Sequence, residues 1–370
     1  MPGAPHHHVV PALPLLSIAL AAVMLIAAMS GCSSNPAGPS DDVVYDLYTV
    51  DVDGQGQFTT IQEGLNAASD GDTVLVMPGT YVGPSNTELD FAGKGVVLMG
   101  AAERADVVID CRGDGRAIYL KGGNAPVIEN ITITNGSALQ GGGMYCEDVS
   151  PSLRNVRFLA NYSEDEGGGL YCKNASPALS DVLFDDNVAS TSGGGMMCVS
   201  GSSAALSEVT FFRNAAQGSG GALGCIFSSP ALSECVFRRN SAFFGGGVYC
   251  GSASPAVTSC TFVENEGAYG GGIYVFGTSS PSITHTIVAF STSGEGLLCN
   301  GSTPFTTLSC VYGNAGGDQL CGDYSTSMLY EDPLFCGLAA GELSLQGESP
   351  CLPDNNPWGV RIGAFGQGCE

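Results

Sequence analysis

One register, repeated down the chain, restricts this sequence to very few folds. The run GGG-x-(Y/M)-C begins at Gly141, Gly167, Gly193 and Gly245, and its variants end at Cys225, Val275 and Cys299. Successive cysteines of this column, Cys146, Cys172, Cys198, Cys225 and Cys250, are 26, 26, 27 and 25 residues apart. Two more columns keep the same phase. Phe158, Phe184, Phe211, Phe237 and Phe262 form one, and Asn161, Asn187, Asn214, Asn240 and Asn265 follow each of them three residues later. A repeat of about 25 residues marks a stacked architecture, in which each unit buries its apolar face against the next.

Within a unit the apolar residues come in clusters of two to four, separated by Gly, Pro, Ser and Asn. That pattern describes several short strands with turns; helical repeats need longer apolar periodicity and do not tolerate GGG. The expected fold is all-β, a right-handed parallel β-helix of roughly nine or ten coils rising about 4.8 Å each. Every column then becomes a ladder. The phenylalanines should stack inward. The asparagines should form an amide ladder at a bend, where Asn tolerates left-handed backbone. The cysteines alternate with apolar residues and should face inward as thiols, because in-register neighbours hold their Cβ atoms too far apart for a disulfide. Composition agrees. The 54 glycines lack a Gly-X-Y period, which excludes collagen, and 44% hydrophobic residues exclude disorder.

Residues 1–31 read as a lipoprotein signal, with the apolar run Leu15–Ala28 ending in Met29-Ser30-Gly31-Cys32. That ending resembles the lipobox of bacterial lipoproteins, which implies acylation of Cys32, export, and attachment to the membrane only through a lipid anchor. Residues 32–44 form a tether, 45–335 the β-helix, and 336–370 an irregular cap over the last coil. The amphipathic stretch Thr60–Ala68 should cap the other end as a helix. Fourteen cysteines follow Cys32; Cys321, Cys336, Cys351 and Cys369 lie in or near the irregular end, where disulfides are expected in one of three pairings.

The segment FTTIQEGLNAASDGDTVLVMPGTY is similar to the start of pectin lyase-like superfamily proteins. The pairing of Gly220-Gly221-Ala222-Leu223 with Phe237-Arg238-Arg239-Asn240 resembles the repeats of chlamydial polymorphic outer membrane proteins. The ending from Asp332 to Ala364 is similar to the last segment of many bacterial right-handed β-helix proteins. These resemblances imply the fold across nearly the whole exported chain. They imply polysaccharide chemistry only as a class, since fold does not fix activity.

The charge is −24, so nucleic acid and anionic lipid surfaces are not expected partners, and the chain should be a monomer. No CxxC pair or Cys/His cluster occurs, so neither a metal nor a cofactor is expected. Polygalacturonase-like hydrolysis needs two carboxyl groups flanking room for water. The only close pair within the repeats, Asp185-Asp186, should point to opposite faces of a strand, so no catalytic residue is assigned. The remaining candidates are for binding. Asp186, Arg213, Arg239 and Glu264 precede the ladder asparagines and should form an alternating charge strip, a candidate glycan site centred on the two arginines. Tyr145, Tyr171, Tyr249 and Tyr274, with Tyr119, occupy an outward phase suited to sugar rings. The expected role is an envelope-anchored, non-catalytic module recognising glycans or surface partners. The alternative is a polysaccharide lyase or glycoside hydrolase.

Overall fold

The computed structural model describes residues 44–324 and 326–370. Residues 1–43, with the expected signal and Cys32, lie outside the described residues. Short strands, mostly of three or four residues, recur in a fixed order, and each coil adds one rung to each of three parallel sheets. We name the sheets by their inward ladders. The leucine sheet has 12 strands, from Leu47–Val50 to Asp323–Tyr324. The phenylalanine sheet has 11, from Gly79–Val82 to Met328–Leu329, and the cysteine sheet has 9, from Leu89–Asp90 to Leu297–Asn300. A fourth sheet of 6 strands, from Ser137–Gln140 to Glu266–Tyr269, lies in the loops between the asparagine column and the glycine runs. The stack is thus longer than the nine or ten coils expected. Its first rungs, Leu47–Val50, Thr73–Val76 and Val97–Gly100, carry neither glycine run nor Phe-x-x-Asn, yet pair in register.

The ladders form as the repeat dictates. Phe158, Phe184, Phe211, Phe237 and Phe262 are buried and stack with ring centroids 4.8, 4.7, 4.9 and 4.3 Å apart. Leu153, Leu179, Leu206 and Leu232 fill the same interior from the leucine sheet, and Cys146, Cys172, Cys198, Cys225 and Cys250 fill it as free thiols. The asparagines join this dry core: the amides of Asn187, Asn214 and Asn240 each bond to the next asparagine and to a phenylalanine carbonyl of the preceding rung, while Asn161 bonds to Asn187 and Ile133 O, and Asn265 to Phe237 O. The expected backbone was one residue out. The left-handed residues are those before the asparagines, Ala160, Asp186, Arg213, Arg239 and Glu264, with φ between 52° and 57°. This bend turns each asparagine side chain inward, where its amide meets backbone that water cannot reach.

Both ends depart from the repeat. A helix, Ile61–Ala67, buries Ile61 and Leu65, and the Glu63 carboxylate accepts the Thr60 N–H and hydroxyl in a capping box. At the other end, residues 333–370 run along the outer side of the phenylalanine sheet, reaching well beyond the last coil they were expected to cover. Phe335, Leu343, Leu345, Cys351, Leu352, Ile362 and Ala364 share a second core with Val236, Val263, Ile287, Ala289 and Cys310. The outward positions of this sheet explain the location. They are charged or mixed on early rungs (Arg157, Asp185) and apolar on later ones, where an exposed Val or Ile face needs cover. Polar contacts pin the segment: the Arg238 guanidinium donates to Leu338 O at 2.7 Å, Ala364 N to Thr261 Oγ1 at 3.0 Å, and Gly363 N to His285 O at 2.7 Å.

Cys336 and Cys369 form a disulfide within this segment. Cys321 pairs with Cys299, outside the four cysteines among which pairings were expected. Cys299 sits on the final rung of the cysteine sheet, where no further strand covers it and the chain returning through Cys321 can reach its sulfur.

Candidate functional site: an open trough on the leucine sheet

Strands of the leucine sheet read Ala-Leu-Ser three times in succession, at Ala178–Ser180, Ala205–Ser207 and Ala231–Ser233. Alternation sends each leucine inward and leaves a small residue on either side facing solvent. Five rungs, from Ser152–Arg154 to Ala256–Thr258, floor a shallow trough of about 470 Å³; four keep this arrangement, and the first carries Arg154 in place of a small residue. By strand spacing its floor spans about 19 Å. Ala178, Ala205, Ala231 and Ala256 form one exposed column; Ser180, Ser207, Ser233 and Thr258 form the other. Among the described residues, the Ser180 and Ser207 hydroxyls have no protein partner and are free to bond a ligand.

Beyond the trough the alanine column continues through Ser282 to Phe305, which is 47% exposed. Beside the serine column, the corner residues Asp181, Glu208 and Glu234 line one rim. Arg104 pairs with Asp181 at 3.5 Å, and Arg361 reaches from the C-terminal segment to Glu234 at 2.5 Å. The site is therefore a hydroxyl-lined floor, free of charge from Ala178 to Thr258 and bounded at one end by Arg154, which pairs with Glu129 at 2.9 Å, with a partly neutralised acidic edge. Nothing in the sequence marks alanine and serine as functional. The one available signal was that outward positions expected to vary stay small over consecutive repeats.

The charge strip lies on another face, at the bend after the phenylalanine sheet. Arg213 donates to Asp185 at 2.9 Å and to Asp186 at 2.6 Å, and Arg157 holds the other oxygen of Asp185. Arg239 and Arg238 both engage Glu264, at 2.9 and 2.8 Å. The left-handed bend at Asp186 cancels strand alternation, so Asp185 and Asp186 share one guanidinium where opposite faces were expected. That leaves no gap for a water between two carboxyl groups. Burial pushes the Asp186 carboxyl up, against the pull of Arg213. Both arginines of the strip are half-exposed and already engaged by its own acids.

The tyrosines stand on the outer face of the cysteine sheet. Tyr145 stacks on Tyr119 at 5.2 Å and on Tyr171 at 5.3 Å; Tyr249 stacks on Tyr274 at 5.9 Å. Their ring faces are taken up by one another, while Tyr171 and Tyr274 are 5% and 6% exposed. Met197 and Gly224 interrupt the column between Tyr171 and Tyr249. Exposed aromatics occur instead at Phe243 and Tyr269 on the six-stranded sheet, packed edge to face at 5.5 Å.

Two carboxylates border the tyrosines in opposite electrostatic states. Glu147 accepts from Lys173 at 2.9 Å, Lys121 at 3.0 Å and the Tyr145 hydroxyl at 3.2 Å, which together lower its pKa to about 2. Glu166 is pushed up by burial and by the adjacent Asp165. Burial, then Glu147, raises Tyr145 to about 12, and burial, then Glu166, raises Tyr171. Among the described residues no group of three or more His, Cys, Asp or Glu is arranged to hold a metal ion, and no helix is long and apolar enough to cross a membrane.

Comparison with known proteins gives the same architecture. Residues 116–288 match the family model of the right-handed beta helix region. The crystal structure of pectate lyase Pel9A is similar over 88% of this chain and 97% of its own, with a TM-score of 0.54 and 12% sequence identity. Pectin methylesterase from carrot aligns over 81% of this chain and 90% of its own, with a TM-score of 0.42 and 12% identity. No curated protein sequence matches significantly.

Proposed function

From the premise that this chain is a right-handed parallel β-helix of the pectin lyase-like fold, we propose that it is an envelope-anchored, non-catalytic module that recognises an extended, uncharged polysaccharide in the leucine-sheet trough. One observation carries this reading: a straight, five-rung floor whose exposed columns, Arg154 apart, are small side chains and hydroxyls, with an exposed aromatic ring two rungs beyond it. A linear polysaccharide needs that geometry. Small residues let a ribbon-like chain lie close, repeated hydroxyls meet its repeated hydroxyls, and Phe305 offers a face to one sugar ring. The acidic rim and the net charge of −24 oppose polyanions and a second copy of the chain. In this reading the arginine strip, with its cations engaged by Asp185, Asp186 and Glu264, is a secondary contact.

The test is a glycan array of neutral and anionic polymers with the full exported chain, repeated with Ala231→Glu and Phe305→Ala. Binding to a neutral linear glycan should fall at least tenfold in Ala231→Glu and measurably in Phe305→Ala. Equal binding by wild type and Ala231→Glu, or no glycan bound by wild type, would overturn the proposal. The double substitution Arg213→Ala/Arg239→Ala reports separately on the strip.

A second reading, polysaccharide cleavage, rests on the split between Glu147 and Glu166. Two carboxyl groups beside tyrosines, one pulled down by lysines and one pushed up by burial, are shifted in the opposite directions that an acid–base pair requires. Incubation of bound and unbound polymers with wild type and Glu166→Gln tests it. Product release by wild type that is lost in Glu166→Gln would establish an enzyme.

A further inference from the structure

Ten cysteines are free thiols among the described residues. Five are neighbours within one ladder, side chains parallel, in a geometry that favours contact without bonding. Cys310 and Cys351 are different. Cys310 is on the phenylalanine sheet strand Ser309–Tyr312, where Val311 points inward to the main core and Cys310 points outward. Cys351 belongs to the C-terminal segment packed over that outer face. Both are completely buried in the second core, and their side chains interact directly across the interface. They belong to two different surfaces packed face to face, the sheet and the segment over it, and are not neighbouring rungs of one ladder. The pairing also has a structural purpose. The disulfide Cys336–Cys369 closes the segment on itself, and Cys299–Cys321 ties the last coil, but neither fastens residues 333–370 to the side of the rod.

We propose that Cys310 and Cys351 form a third disulfide, closed as the C-terminal segment docks on the phenylalanine sheet. The oxidant is a small or protein disulfide. One cysteine thiolate attacks a sulfur of that disulfide, forming a mixed disulfide and releasing one thiol. The second cysteine thiolate then displaces the other sulfur and closes the Cys310–Cys351 bond. In sum two S–H bonds and one S–S bond are exchanged for one S–S bond and two S–H bonds, and two electrons pass to the oxidant. Full burial sets the order of events. The exchange takes place before the segment seats, and afterwards the same burial shields the bond from reductants.

The full chain, unfolded and reduced, is refolded with reduced and oxidised glutathione, alkylated in denaturant without reductant, and mapped by mass spectrometry. A parallel sample is isolated directly from an oxidising compartment without refolding. A peptide pair joined through Cys310 and Cys351 is expected in both, with Cys146, Cys172, Cys198, Cys225 and Cys250 alkylated. The folded Cys310→Ser/Cys351→Ser variant should release fragments of residues 333–370 under limited proteolysis at least tenfold faster than oxidised wild type. Recovery of Cys310 and Cys351 as alkylated thiols in both wild-type samples overturns the proposal, as does either residue joined elsewhere. The wild-type map decides the question even where the variant does not fold.

Discussion

Asn214 donates both its backbone N–H and its side-chain amide to a single oxygen, Oδ1 of Asn240, at 2.9 and 3.0 Å. The same amide nitrogen reaches back to Phe184 O at 2.9 Å, and Asn214 Oδ1 accepts two hydrogens from Asn187. One side chain thus joins three rungs in a space that admits no water. Asn214→Ala strands the Phe184 carbonyl and both Asn187 donors, each unmatched buried group costing about 1–3 kcal/mol. A drop of at least about 3 kcal/mol should appear in the denaturant midpoint.

Phe211 lies between Phe184 and Phe237, with centroids 4.7 and 4.9 Å away. Truncation to Ala opens a cavity that rigid neighbouring rungs cannot fill, and should cost about 3–5 kcal/mol. Equilibrium unfolding of Phe211→Ala measures it; an unchanged midpoint would remove the phenylalanine column from the core.

The glycines of one repeat should respond unequally. A Cβ on Gly194 would sit 2.3 Å from Gly221 O and 2.4 Å from Ala215 O, both fixed in the stack. Gly201, with φ of 82°, meets nothing within 4 Å. Gly201→Ala should therefore cost only the left-handed backbone penalty, about 1–2 kcal/mol. Gly194→Ala forces carbonyls apart and should cost about 3 kcal/mol or more. Thermal melts of the two variants side by side test the difference.

Glu147 gives the rod an acid-sensitive contact. Its folded pKa is about 2, below the ordinary 4.5, because Lys173, Lys121 and Tyr145 all bond the carboxylate. Stability from a depressed carboxylate is present above the unfolded pKa and is lost as pH falls through the folded one. Wild type should exceed Glu147→Gln in melting temperature at pH 6, and the gap should close between about pH 4.5 and 2. A gap that persists at pH 2 would mean the glutamate acts through packing.

Cys32 is expected to carry lipid, and Cys32→Ala should abolish detergent partitioning and the acyl mass seen on wild type. An unmodified, freely soluble wild-type protein would remove the envelope anchor from the proposed role.

Much of this architecture was legible because stacking gives each column a single environment. Phe211 and Asn214 were identifiable since their partners one coil away are the same residue types. The early rungs escaped the count because Val74 and Leu98 stack without glycine or asparagine markers. The trough was silent for the opposite reason: Ala205 and Ser207 are chosen for what they leave out. Pairings such as Arg361 with Glu234, 127 residues apart, and Arg238 with Leu338, 100 apart, depend on where the C-terminal segment docks, and no local periodicity encodes that. The alternation Asp186, Arg213, Arg239, Glu264 was visible, and a surface ion ladder with it; that Asp185 and Arg238 would join the ladder was not.

The C-terminal segment also bears on how the rod would yield under load. Elsewhere, the Arg104–Asp181 pair apart, the sheets join each coil to the coils above and below, so a pull from the helix-capped end would peel coils away singly, releasing about 85 Å of extended chain each time. The rungs from Glu234 to Cys310 lie under one continuous strap and cannot leave in turn. There the unravelling front would stall, and the remaining rungs would fail together.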